Sequence, residues 1–150
     1  MNTGGSNMSS NHMDSFLERH GLLKTWVAAK AGMPHTTLSV RLSEGRLLPE
    51  DVKAIEHVIR DNGKRLSRWQ WTANNLADLD RLKTEHGITK TWLIELFPNV
   101  TKDTSILTSY ASRQGGLSSR EKEIIEIALA ESAGAMQGFR IPSTLIKRAA

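Results

Sequence analysis

The sequence predicts an all-α chain made of two tandem copies of a unit of about four helices, joined by a short basic linker. Three observations predict it. The phrase HGLLKTW, His20–Trp26, returns as HGITKTW, His86–Trp92, identical at five of seven positions. Apolar residues around each copy recur at helical spacing. Glycines and cap residues punctuate those segments, and apart from a brief alternation in RLSRWQW no strand pattern stands out.

The opening MNTGGSNMSSNHM lacks the apolar core of a signal peptide, so residues 1–12 read as a flexible polar tail. The first unit spans 13–63. Met13, Phe16 and Leu17 start its first helix, and Gly21 after His20 is a natural stop. A short second helix carries Val27, Ala28 and Ala31 on one face and ends at Gly32. After Met33-Pro34, a third helix places Leu38 and Leu42 one turn apart, and Gly45 closes it. In the fourth, Pro49 suits the first helical position, and Glu50 and Asp51 suit the positive end of the dipole. Val52, Ile55 and Ile59 supply its apolar face, with Gly63 expected as the stop.

The linker, 64–73, is basic through Lys64, Arg65 and Arg68 and holds Trp69 and Trp71, which are expected to pack it onto one unit. The second unit, 74–132, repeats the plan. Leu76, Leu79 and Leu82 mark its first helix, ended by Gly87. Thr89 caps a second helix with Leu93, Leu96 and Phe97, and a third carries Ile106, Leu107 and Tyr110 up to Gly115-Gly116. Ser118 and Glu121 form an S-x-x-E capping box for a fourth, whose buried face is Ile124, Ile125, Ala128 and Leu129. Residues 133–150 read as a tail, loose until Pro142, where a short final helix is expected.

Composition narrows the function classes. A net charge of +4, from 20 basic and 16 acidic residues, permits an anionic partner without demanding one. The absence of cysteine removes disulfides and thiolate metal sites. No apolar run approaches the roughly eighteen residues that span a bilayer. No Gly-rich phosphate loop, G-x-S-x-G or carboxylate pair beside a base appears, so neither an enzyme nor a cofactor is expected. The histidines show no metal-ligand spacing, and His20 and His86, just before helix-ending glycines, are expected to favour the negative end of a helix dipole.

The segment KTWVAAKAGMPHTTLSVRLSEGR, Lys24–Arg46, carries more. Ala28 is small where two helices touch. Gly32 falls four residues on, at a turn that wants positive φ. Met33 follows as an apolar plug and Leu38 as the next helix's buried anchor. This pattern resembles the helix-turn-helix of the lambda-repressor-like superfamily (Cro and phage repressors) over Asp14 to about Gly63. One departure is Arg41, where an apolar residue is usual three positions after the anchor; Leu42 takes that role. The third helix is then rotated slightly, or Arg41 reaches out to phosphate.

The resemblance implies two tandem helix-turn-helix units and double-stranded DNA as the partner, with the third helix in the major groove. It implies His35, Thr36, Ser39, Val40 and Ser43 on the reading face, and Lys24, Thr25, Arg41 and Arg46 at phosphates. Thr37 faces its own fold or a phosphate. The second copy departs further, with Ile94 where alanine is expected, Pro98 where glycine is expected, and Asp103 beside phosphates. Its contacts would come from Lys90, Thr91, Lys102, Ser105, Thr108 and Arg113. The implied role is a transcriptional regulator, a repressor or mobile-element regulator, in the cytoplasm and associated with the nucleoid.

Alternatives stay open. One is a protein-interaction module in which Ile94, Leu96, Phe97 and the C-terminal tail capture a regulator or a polymerase subunit. Another is an accessory factor for recombination or plasmid maintenance. A homodimer or a regulatory partner is compatible with each. Trp26 and Trp92 occupy matching positions: ordinary packing of helix two on helix one accounts for them, and a contact between the units is the alternative.

Overall fold

The computed structural model describes the backbone of residues 5–97, 109–113 and 115–147, with side chains from residue 12 onward within those ranges. Among them the structure is helical, with only two isolated β-bridges. In chain order the helices are α1 (Gly5–Arg19), α2 (Lys24–Lys30), α3 (His35–Glu44), α4 (Pro49–Leu66), α5 (Leu76–His86), α6 (Lys90–Ile94) and α7 (Ser119–Gln137), then a 3-10 turn at Ser143–Leu145. Residues 109–112 are helical as well.

Local chemistry accounts for most boundaries. Asn75 caps α5 by accepting from the Ala77 N–H, and the Thr89 hydroxyl accepts from the Trp92 N–H at the start of α6. Ser118 and Glu121 form the expected reciprocal box at α7. At α4, Pro49 leads the first turn, and the Asp51 carboxylate accepts from the Leu48 N–H at 2.9 Å. Asp78 organises the turn before α5. Burial alone would raise its pKa, but hydrogen bonds from Arg81, the Thr72 hydroxyl and N–H, and the Asn74 N–H hold it at about 2.

Three expectations need correction. Helical backbone begins at Gly5, inside the stretch read as a flexible tail. Gly63 does not stop α4, which runs on to Leu66 with Gly63 buried in it. The C-terminal stretch is not loose before Pro142: α7 runs to Gln137, and Phe139 and Ile141 are buried. This stretch packs on the first half of the chain. Phe139 stacks on Phe16 with centroids 4.6 Å apart. Arg60 Nε donates to the Phe139 carbonyl at 2.8 Å, and Leu47 and Ile146 form a parallel bridge.

The two repeated phrases meet. Leu22 and Ile88 form an antiparallel bridge, in which the Leu23 N–H donates to the Gly87 carbonyl at 2.9 Å and the Thr89 N–H to the Gly21 carbonyl at 3.0 Å. Trp26 Nε1 donates to the Thr84 carbonyl at 3.0 Å, and Trp92 Nε1 to the Arg19 carbonyl at 2.8 Å. Each indole lies on the other phrase's glycine. A Cβ on Gly87 would come within 2.7 Å of the Trp26 ring, and one on Gly21 would strike Trp92. Both glycines also have positive φ, +67 and +70, so two constraints select glycine there. The tryptophans therefore join the two halves, the less ordinary of the two readings.

The same exchange recurs deeper. His20 Nδ1 is hydrogen-bonded to Ser132 Oγ at 2.9 Å, and His86 Nδ1 to Asn62 Oδ1 at 2.9 Å. Asn62 and Ser132 sit at matching places on α4 and α7, which make the most extensive contact among the described helices. The helices approach where Gly63 meets Ala133. In these pairs a residue of one half meets the counterpart of its own partner in the other, which is an approximate two-fold relation within one chain.

The buried histidines do not serve as helix-end cations. Burial lowers the pKa of both, with Arg19 adding at His20 and Arg65 at His86. They are held neutral as hydrogen-bond partners instead. The linker aromatics pack on the second half. Trp69 meets Trp71 edge-on at 4.6 Å and lies 5.3 Å from the Arg81 guanidinium, while Trp71 Nε1 donates to Glu126 at 2.7 Å.

Candidate nucleic-acid interface

α2 and α3 are separated by a tight turn over residues 31–34, with Gly32 at φ +79. Val27 and Ala28 are fully buried on α2, and Leu38 and Leu42 on α3. Small Ala28 lets α3 approach, and the two leucines hold it against α1 and α2. Gly45, left-handed at the α3 terminus, returns the chain to Leu47, whose N–H donates to the Leu145 carbonyl at 3.0 Å.

Opposite the leucines, Thr36, Val40 and Ser43 are exposed; His35, at the first turn on the leucine side, is exposed too, and Thr37 and Ser39 on the flanks are half-buried. Ser39 Oγ lies 3.5 Å from His35 Nε2, and Ser43 Oγ donates to the Val40 carbonyl at 3.0 Å. Val40 is 52% exposed, rare for a large apolar side chain here. Leaving it in water gains nothing for the fold, while its methyls suit contact with thymine.

Arg41 is tied to the fold. Its guanidinium donates to Asp51 Oδ2 at 2.7 Å, and Asp51 is nearly buried at the start of α4. An arginine at this position therefore fastens α3 to α4 while staying partly exposed. Arg46 is exposed and only loosely paired with Glu44, at 3.4 Å.

Beside Val40, Arg41 and Arg46 lies Lys147, lining a depression of about 340 Å³ with Glu44 and Leu48. The hydrogen bond from the Lys147 N–H to the Leu47 carbonyl, 2.7 Å, fixes it there. Sequence reasoning missed this cation. The sequence offers a short final helix from Pro142, but nothing local says that it packs beside α3.

Lys24, half-buried, pairs with Asp14 at 3.2 Å, and its counterpart Lys90 pairs with Asp80 at 2.9 Å; Thr25 and Thr91 are exposed. Such partly exposed pairs are worth about 1 kcal/mol or less, so phosphate can compete for either lysine. Arg113 is tied to Glu121 and stacked on Tyr110 at 4.8 Å, which makes it part of the α7 cap. Hydrogen bonds from Arg113 and the Ser118 N–H outweigh burial and keep the Glu121 pKa below its usual value. Lys102, Ser105 and Thr108 lie outside the described residues, as do Pro98 and Asp103. Ile94 and Phe97, offered for protein capture, are buried, and Leu96 is half-buried.

No described helix is long and apolar enough to cross a membrane. Among the described residues no group of three His, Asp or Glu is placed to hold a metal ion. Comparison of the chain with family models, with curated proteins and with solved structures returned no match.

Proposed function

We propose that this chain binds double-stranded DNA sequence-specifically and regulates transcription, with α3 as the reading helix. One observation carries the reading. Leu38 and Leu42 are fully buried, while the opposite face of α3 offers Thr36, Val40 and Ser43 to solvent and His35 is exposed at the helix start. That is the anchoring a groove-reading helix needs, with short polar groups and methyls outward. Arg46, Lys147 and the rim of Arg41 supply cations at the end of α3 for phosphate. The helix-turn-helix family pattern and the repeated unit point the same way.

The test is selection from random duplexes by the full chain, repeated with His35, Thr36, Ser39 and Val40 changed together to Ala. Wild type should enrich a defined motif, and binding should weaken steeply with salt as counterions are released. The quadruple variant should lose base preference while keeping its helical spectrum and salt slope. An unchanged motif from the folded variant, or indifference to every duplex at low ionic strength, overturns the reading.

A further inference from the structure

α4 and α7 occupy equivalent places, so each serves as a control on the other. On α7, Arg120, Ile124, Ile127 and Glu131 follow at steps of four, three and four residues. At about 100° per residue they fall in a stripe roughly 60° wide. The stripe is turned away from the buried Ile125, Leu129, Ser132 and Met136. Arg120, Ile127 and Glu131 are exposed, and Ile127 is 63% exposed. On α4 the same four positions hold Glu50, Ala54, His57 and Asp61. Ile124 is half-buried and packs in part against the core, so Ile127 is the large apolar side chain on this stripe that the fold leaves in water. Helix stability does not ask for this stripe, since Arg120 sits in the first turn, at the positive end of the dipole.

We infer that this stripe is a seam for a second copy of the chain, with the two α7 helices antiparallel across a two-fold axis. Such a contact brings one surface against itself, so the surface must complement its own reverse. This stripe does. Arg120 meets Glu131 of the partner subunit, and Ile124 meets Ile127 of the partner subunit. Reversed in the same way, the α4 stripe would set Glu50 against an acidic Asp61. A depression of about 400 Å³ beside the seam adds Trp92, Leu96 and Ala128 to the two isoleucines as apolar lining, with Arg19, His20, Glu131 and Ser132 as its polar part. In the first half, Lys30 stands where Leu96 stands here, 5.8 Å from the Trp26 ring, so this added apolar surface also belongs to the second half. The inference does not rest on the DNA reading.

Sedimentation velocity of the full chain across a concentration series tests it. A monomer–dimer equilibrium is expected, abolished by Ile127→Glu, a change at an exposed position that should leave the helical spectrum intact. Arg120→Glu and Glu131→Arg should each weaken association about tenfold, since like charges then face each other at both ends. Mixed in equal amounts, these two variants should associate as wild type does, because the mixed dimer pairs opposite charges at both ends. A wild-type chain that stays monomeric at its highest soluble concentration overturns the seam. So does a dimer indifferent to Ile127→Glu, or a mixture no tighter than its components.

Discussion

His86 is 4% exposed, and burial takes its imidazole from 6.5 down to about 4, with Arg65 and Arg81 adding to the effect and Glu85 opposing it. Between those two values the native protein binds fewer protons than the unfolded chain, so stability rises with pH across that window. The contribution is present in full above about pH 6.5 and is lost as pH falls toward about 4, a difference of roughly 3 kcal/mol. His20, shifted in the same direction, adds to it. Asp78 and Glu121 are held below their ordinary 3.8 and 4.5, so their losses come only at lower pH. Urea midpoints should therefore fall between about pH 6.5 and pH 4.5 through the histidines. His86→Gln should flatten that dependence, and an equal slope in wild type and variant would contradict the assignment.

At the scale of elements, the crossing of α4 and α7 turns on what a methyl group meets. A Cβ on Gly63 would lie 2.7 Å from the Ala133 carbonyl oxygen and 2.8 Å from Met136 Cβ. Backbone cannot yield there without parting the helices, so Gly63→Ala should cost about 1–3 kcal/mol despite its better helix propensity. Gly134, on α7 but exposed, has nothing within 4 Å of its Cβ position. Gly134→Ala should stabilise by about 0.5–1 kcal/mol, and opposite shifts in thermal midpoint would verify the pair. Gly63 also marks where sequence reading fails. A glycine after an apolar helix looks the same whether it ends the helix or admits a neighbour, and only the partner's position decides. The anchors Leu38 and Leu42, the Thr89 cap and the Ser118–Glu121 box were legible because their causes lie within a turn or two. Lys147 beside α3 was not, and the matching positions of Trp26 and Trp92 left a contact between the units only as the alternative, because contacts far apart in the chain create both.

For the whole molecule, the repeat raises the question of whether each half stands alone. The halves share their most demanding contacts. Ile59, Asn62 and Leu66 of α4 and Leu129, Ala133 and Met136 of α7 are buried along helices whose main contact is with each other. The C-terminal stretch also leaves the second half to bury Phe139 and Leu145 against the first. A chain cut at the linker would expose these apolar surfaces, at about 25 cal/mol for each Å² of apolar area returned to water, and remove the partners of His86 and His20, Asn62 and Ser132. Few small domains have stability to spare on that scale. Intact protein should therefore unfold in one transition seen identically by tryptophan fluorescence and circular dichroism. Residues 1–73 and 74–150, expressed separately, should lack cooperative unfolding, and mixing them should restore it. Two separated transitions in the intact chain, or a half that melts cooperatively alone, would mean that the repeat is a string of independent domains. The antiparallel bridge between the two repeated phrases argues against that: a motif that spends its own backbone hydrogen bonds on its copy is one half of a single structure.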